Sequence, residues 1–349
     1  MLRRHERWYD VRACPGLERP ASGSRREGPG RGPPGAALCL AVDPGEAAAA
    51  LERARPLPLA TALAASVLGV LVSAEKWRGL LRHAGVGLTL AACARLYWVG
   101  MFASNLLPTS VGGDAVRLLL TPAPGRRAAV AGSILVERLT GFLVMLALCT
   151  LGLALRPQYF DEPGLRATFL AGVLALDLGV VAALLAPGRL APLLSGLAAH
   201  LPGILHRPIG AATRVAAAVG GLAGDPAALA RAMALSVVFY GTIIAAQHAV
   251  LRAAGAEVAL AEVALVAAVV PLAAMLPVSL NGLGVAEGVF VLLYAQLGVA
   301  PEAALAAAAL RRLVDLANSG LGGPLWLTLR GGAGKAREPA LSAVPVGPS

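Results

Sequence analysis

The stretch NLLPTSVGGDAVR, residues 105–117, interrupts a region otherwise written almost wholly in Ala, Leu and Val. Pro108 withdraws a backbone donor, and Gly112 and Gly113 loosen the turn that follows. Asp114 and Arg117 then stand where a helix would resume. Freed backbone groups at membrane depth are tolerated only where protein or a wet cavity satisfies them. Whether the surroundings are membrane therefore decides how these residues are read.

The composition answers that. Hydrophobic residues make up 57% of the 349 and charged residues 14%, against roughly 45–50% and 25% in a soluble domain. Mean hydropathy is +0.70. Residues 57–74, LPLATALAASVLGVLVSA, carry no charge, and 139–155, 232–251 and 263–280 are similar. About 20 apolar residues cross a bilayer core as a helix. The expected fold is all-α, a polytopic transmembrane bundle of about 7–8 spans in the cell membrane. Spans are expected near 57–75, 86–107, 133–155, 167–186, 232–251 and 258–280, then a short apolar piece at 288–300 and a helix ending around 313–329. The Pro/Gly-punctuated stretch 187–229 reads as an interfacial helix or a weak further span.

Residues 1–55 hold ten arginines and seven acids and read as a disordered tail or a mis-assigned start. Residues 56–330 are expected to form the membrane domain and 331–349 a second tail, with no soluble catalytic domain expected within these residues. The net charge of +10 is spread over short loops, which fits positive-inside topology and anionic headgroups rather than nucleic acid. Lys76, Arg78 and Arg82 argue for one cytoplasmic loop, and Arg117, Arg126 and Arg127 for the next. Both lie inside only if the piece between enters and leaves on one side. Cys14, Cys39, Cys93 and Cys149 lack CxxC spacing, and the five histidines lack HExxH. No metal and no cofactor is implied.

The motif occurs twice. LPTSVGGDAVR (107–117) is echoed by LPVSLNGLGVAE (276–287). Beyond each comes an Ala-rich helix ending in charge, AAVAGSILVERLTGF (128–142) and AALAAAALRRLVDLA (303–317), which aligns Glu137 and Arg138 with Arg311 and Arg312. Paired Gly/Pro-interrupted segments in corresponding halves point to a transporter site made of broken helices. The 288–300 piece would span roughly 20 Å against a core of about 30 Å, so a re-entrant half-helix is the simplest account. The expected cleft comprises Asn105, Pro108, Ser110, Gly112, Gly113, Asp114, Arg117, Glu137 and Arg138 from the first half. The second half adds Pro277, Ser279, Asn281, Gly282, Gly284, Glu287, Arg311, Arg312 and Asp315. Arginines and half-helix N-termini suit a phosphate, and the acids a counter-ion or an amine.

Simpler roles compete. Asp114 reads equally as an N-cap and Glu287 as a first-turn acid. Arg311 and Arg312 are spaced to neutralise Asp315 along one helix. Yet an ionised side chain at a helix centre costs about 2.5–3.5 kcal/mol, and eight beside two helix breaks need more than packing. Arg95 can snorkel, Asp177 can face a neighbouring helix, and Gln247–His248 read as interfacial. GLGVAEG (282–288) follows no strand, so a dinucleotide loop is rejected.

KWRGLL (76–81), NLLPTSVGGDAVR (105–117), VERLTGF (136–142) and LPVSLNGLGVAEGVF (276–290) together resemble the flippase-like transmembrane family named for lysylphosphatidylglycerol synthases, over about residues 57–330. The resemblance implies a helical bundle with re-entrant helices that moves a lipid headgroup between leaflets. Better-known members move aminoacylated phosphatidylglycerol, and relatives are linked to polyprenyl-carried sugars. The family usually has one more span before the tryptophan-containing loop, where this sequence has its Arg/Pro-rich tail. It also lacks the aminoacyl-transferring domain of the full-length synthases.

The expected function is a non-enzymatic lipid translocator acting on a phospholipid or polyprenyl-linked headgroup through a polar intramembrane cleft. Its partners would be the membrane lipid and a separately encoded glycosyltransferase or aminoacyltransferase, with a homo-oligomer left open. One rival is a membrane-embedded transferase with Glu137 or Glu287 as base. The other is a non-transporting partner subunit.

Overall fold

The computed structural model describes residues 52–107, 112–155, 163–185, 206–274 and 285–332, together with 192, 195 and 196. Pro108, Ser110, Pro277, Ser279, Asn281, Gly282 and Gly284 lie outside the described residues, as do most of the two tails. The elements considered below are all helices: α1 (Pro56–His83), α2 (Leu90–Leu106), α3 (Gly112–Leu120), α4 (Arg127–Leu155), α5 (Pro163–Leu185), α6 (His206–Ala223), α7 (Pro226–Ala253), α8 (Leu260–Ala274), α9 (Val285–Gln296), α10 (Pro301–Gly320) and α11 (Gly322–Gly332). Three of them, α1, α4 and α7, are long and apolar enough to cross a membrane. At about 1.5 Å per residue, α1 and α7 are each about 42 Å long, more than a hydrocarbon core of about 30 Å.

These two helices carry the internal repeat. Each has 28 residues and begins with a proline, which suits the first helical turn. α7 follows α1 at a separation of 170 residues (Pro56/Pro226, His83/Ala253), and Leu90/Leu260 keep that separation. Both end identically. Leu81-Arg82-x-Ala84-Gly85 and Leu251-Arg252-x-Ala254-Gly255 close with the N–H of the glycine on the arginine carbonyl (3.0 and 3.2 Å). The next N–H bonds the leucine carbonyl (2.8 and 2.9 Å). This is a Schellman stop, and it needs a left-handed residue at the glycine. Gly85 has φ 75° and Gly255 φ 83°.

The pair packs antiparallel. Arg55 N–H bonds the Ala253 carbonyl at 3.1 Å, Lys76 meets Ser236 at 3.1 Å, and His83 meets Asp225 at 3.3 Å. Gly69 sits at the crossing, where an added Cβ would lie 2.7 Å from Thr242 Oγ1 and 3.7 Å from the Phe239 ring. Gly69 and Phe239 are equivalent positions in the two units, so an approximate two-fold axis passes between them, perpendicular to both helices.

A helical hairpin follows each long helix. α3 runs back along α2: Gly113 lies against Ser104 and Gly100, and Arg117 against Gly100. Arg126, just before α4, donates to the carbonyls of Ala84 (3.3 Å) and Gly85 (2.8 Å). The hairpin therefore begins and ends at the same rim, beside the C-terminus of α1 and the N-terminus of α7. The second hairpin, α8 and α9, is built around Phe290 and Tyr294, whose rings lie 4.7 Å apart. Ala256, Val258, Leu297 and Val299, just beyond its ends, belong to the same hydrophobic cluster as Ala253 and Ala304.

Several expected boundaries move. Lys76, Arg78 and Arg82 are not a loop: they occupy the last turns of α1, because the helix continues to its glycine stop. Arg117 is likewise helical and buried. The half-length helix covers 285–296 rather than 288–300, and the charged helix after it is α10, separated from α11 at Leu321. The weak 187–229 stretch contains α6. Cys93 and Cys149 are buried free thiols, acting as small hydrophobes.

Candidate functional site

The two halves place their charges differently. In the first, Arg117 is the centre of a dry network. Its guanidinium lies between the rings of Trp77 (4.1 Å) and Tyr97 (4.0 Å). One Nη donates to Glu137 at 2.6 Å and the other to Asp114 at 3.1 Å. Tyr97 donates its hydroxyl to the other Glu137 oxygen, and Arg138 pairs with the second Asp114 oxygen. Lys76 Nζ donates to the Glu137 carbonyl and to Ser236 Oγ, both at 3.1 Å. Trp77 donates to Ser133 at 3.1 Å. Such a pair has lost most of its hydration, so it stands only because its geometry and its aromatic walls compensate.

Two glycines on facing helices, Gly113 of α3 and Gly100 of α2, make this network possible. A Cβ on Gly113 would collide with the Gly100 carbonyl, and one on Gly100 would lie 2.9 Å from Arg117 Cγ. Only with both glycines can α3 lie close enough to α2 for Arg117 to reach between Trp77 and Tyr97. Gly113 thus serves close approach, a different use from the loosened turn expected of it above.

The second half opens onto a cavity of about 350 Å³ at the α1–α7 crossing. Ser66, Gly69 and Ser73 of α1 and Thr242 and Gln247 of α7 line it, with Tyr97 from α2. α10 contributes Arg311, Asp315 and Asn318. Arg311 and Asp315 are 3.8 Å apart, and their side chains are 30% and 50% exposed, where those of Arg117 and Glu137 are 4% and 5%. The floor from α8 includes Ala267 and Pro271. Pro271 has no N–H to give the Ala267 carbonyl four residues back, so an acceptor is released on this wall. The cavity lies halfway along both long helices, at the lower end of the 300–1,000 Å³ typical of ligand pockets. That volume suits a headgroup and not a whole lipid.

Of the expected cleft residues, Asp114, Arg117, Glu137 and Arg138 come together in the closed network, and Arg311 and Asp315 at the cavity. Asn105 does neither: its amide donates to Ser319 at 2.7 Å, tying the first hairpin to the end of α10. Trp98 does the same through Asn318 at 3.0 Å. Glu287 and Arg312 are half-buried on α9 and α10. Gln247, expected at an interface, is buried and donates to the Tyr294 hydroxyl at 2.7 Å. Sequence reading passed over Tyr97, Asn318, Pro271 and the burial of Lys76. The LRHAG/LRAAG pair, 170 residues apart, was the overlooked mark of the repeat that brings them together.

Residues 35–322 match the family described as Lysylphosphatidylglycerol synthase TM region. The chain belongs to that family. The matched span includes α1 to α10, so both hairpins and the crossing are parts of the lysylphosphatidylglycerol synthase transmembrane region. It begins at residue 35, inside the stretch assigned above to the N-terminal tail. No curated protein and no solved structure matches the chain. Membership in this transmembrane family, with three helices of spanning length and apolarity, makes this an integral membrane protein of lipid-related function.

Proposed function

We propose that this protein is a non-enzymatic lipid translocator of the plasma membrane, with the two hairpins re-entering the bilayer from opposite faces. The observation that carries the reading is the cavity at the antiparallel crossing, largely apolar but with Arg311, Asp315 and Asn318 in one wall. Inverted-topology repeats characteristically hold substrate near the bilayer midplane at the repeat interface. Arg311 is the donor for a lipid phosphate, while Asp315, Asn318 and the Ala267 carbonyl offer acceptors for hydroxyls or an amine. Acyl chains remain in lipid. A polar group desolvated without partners loses several kcal/mol, and fixed partners at mid-depth lower that barrier.

The closed network supports a scaffold role for Glu137. Its carboxylate is engaged by Arg117 and Tyr97, which disfavours it as the base of a transferase. The more basic rim, with Arg82, Arg126, Arg127 and Arg231, is assigned to the cytoplasm.

Proteoliposomes carrying fluorescent phosphatidylglycerol test this. Arg311→Gln and Asp315→Asn should each lower the initial scrambling rate at least about tenfold, the equivalent of about 1.4 kcal/mol of lost interaction. The half-exposed Arg138→Gln should leave it within about twofold, as for a surface pair. Rates equal to the parent in both cavity variants would remove the cavity from the path.

A further inference from the structure

A second cavity, of about 320 Å³, lies on the same α1–α7 seam at the basic rim. Lys76, Arg82 and His83 of α1 line it, with Asp225 and Arg231 from the α7 side. Three basic side chains, Lys76, Arg82 and Arg231, thus face one carboxylate, and that carboxylate is already occupied. Asp225 accepts from the N–H groups of Ala227 (2.8 Å) and Ala228 (3.2 Å) and faces His83. With the helix end capped, the donors left to this cavity belong to side chains. Arg231 pairs outward with Glu75 at 2.6 Å, sharing it with Arg78. Arg82 makes no ion pair with the described residues.

Lys76 is the decisive group. It is buried, and its ammonium has three protons. Two go to neutral oxygens, those of Glu137 carbonyl and Ser236 hydroxyl. Among the described residues no carboxylate lies within ion-pair distance of it. A buried cation whose hydrogen-bond partners are neutral oxygens, with the Phe239 ring 6.0 Å from its nitrogen and no carboxylate in direct contact, is costly, and an anion beside it would lower that cost. The side chain lines this cavity. Ser73, one turn earlier on α1, lines the central one. Neighbouring turns of α1 therefore face the two cavities, Lys76 the rim cavity and Ser73 the central one.

We propose that the rim cavity binds a phosphate group, with Lys76 at its inner end and Arg82 and Arg231 at its mouth, as the site from which a headgroup enters the central cavity. Its place in a transport path rests on the translocator reading; binding itself does not. The phosphate has two possible sources, a phospholipid headgroup or free inorganic phosphate.

The test is equilibrium binding to the full chain in detergent, with short-chain phosphatidylglycerol, inorganic phosphate and short-chain diacylglycerol as probes. Phosphatidylglycerol should bind, inorganic phosphate should displace it, and diacylglycerol should not bind. An Arg82→Gln, Arg231→Gln double variant should weaken phosphatidylglycerol at least about tenfold, as loss of charge-assisted hydrogen bonds requires. Arg78→Gln, on the same helix but outside the cavity, should leave affinity within about twofold. Lipid binding tenfold tighter than inorganic phosphate assigns the site to a headgroup, and equal binding assigns it to free phosphate. Unchanged affinity in the double variant, an equal loss in Arg78→Gln, or binding of diacylglycerol would each overturn the site. Because no transport is measured, scrambling without binding refutes this site alone, and binding without scrambling refutes the translocator reading alone.

Discussion

The α3–α4 side and the α9–α10 side of this protein descend from one pattern and have been used in opposite ways. On the first, Arg117 is enclosed by the Trp77 and Tyr97 rings and by two carboxylates, with Arg138 on the second oxygen of Asp114. On the second, Arg311 stands 5.7 Å from the Phe290 ring and 3.8 Å from Asp315, at the wall of a cavity. Buried, closely paired charges make a joint. Loosely paired charges next to open volume keep capacity for something else. Charged residues at corresponding places in the two halves therefore say little about role until burial and partners are known.

That contrast can be broken most sharply at Arg117. Its replacement by Ala leaves Glu137 buried without its cation, and about 3–5 kcal/mol of stability should be lost. Thermal unfolding in detergent should show a large drop in the folded fraction, and a parent-like midpoint would mean the network is not a joint. Gly113→Ala should cost about 1–3 kcal/mol through overpacking against the Gly100 carbonyl, read by the same melt.

The two equivalent stops sharpen the comparison further. Gly85→Ala and Gly255→Ala each force a left-handed alanine, at about 1–2 kcal/mol. A Cβ at 85 also meets the Arg126 guanidinium, whereas 255 is open. Gly85→Ala should be the worse of the two, and the reverse order would argue against the Arg126 clasp. The smallest effect is expected from Asp315→Asn, below about 1 kcal/mol on stability, although its transport rate should fall.

The repeat was legible from LPTS/LPVS and from Glu137–Arg138 against Arg311–Arg312, since local composition carries both. What was not legible is long-range. Lys76 and Ser236 are 160 residues apart, and so Lys76 reads as an ordinary helix-end cation until α7 is laid against α1. Tyr97 and Asn318 look like background in apolar helices for the same reason. The cleft residues expected together separate because two glycines pull α3 onto α2 and seal the first cluster. Pro271 was hidden inside an unbroken apolar run, where nothing flanking it marks a cavity wall.

The antiparallel crossing of equivalent helices has one more consequence. Turned end over end, α1 and α7 exchange places, so this pair alone does not tell one face of the bundle from the other. Insertion polarity is left to a few surface cations, chiefly Arg82, Arg126, Arg127 and Arg231 at one end. Their collective removal would let the polypeptide adopt both orientations.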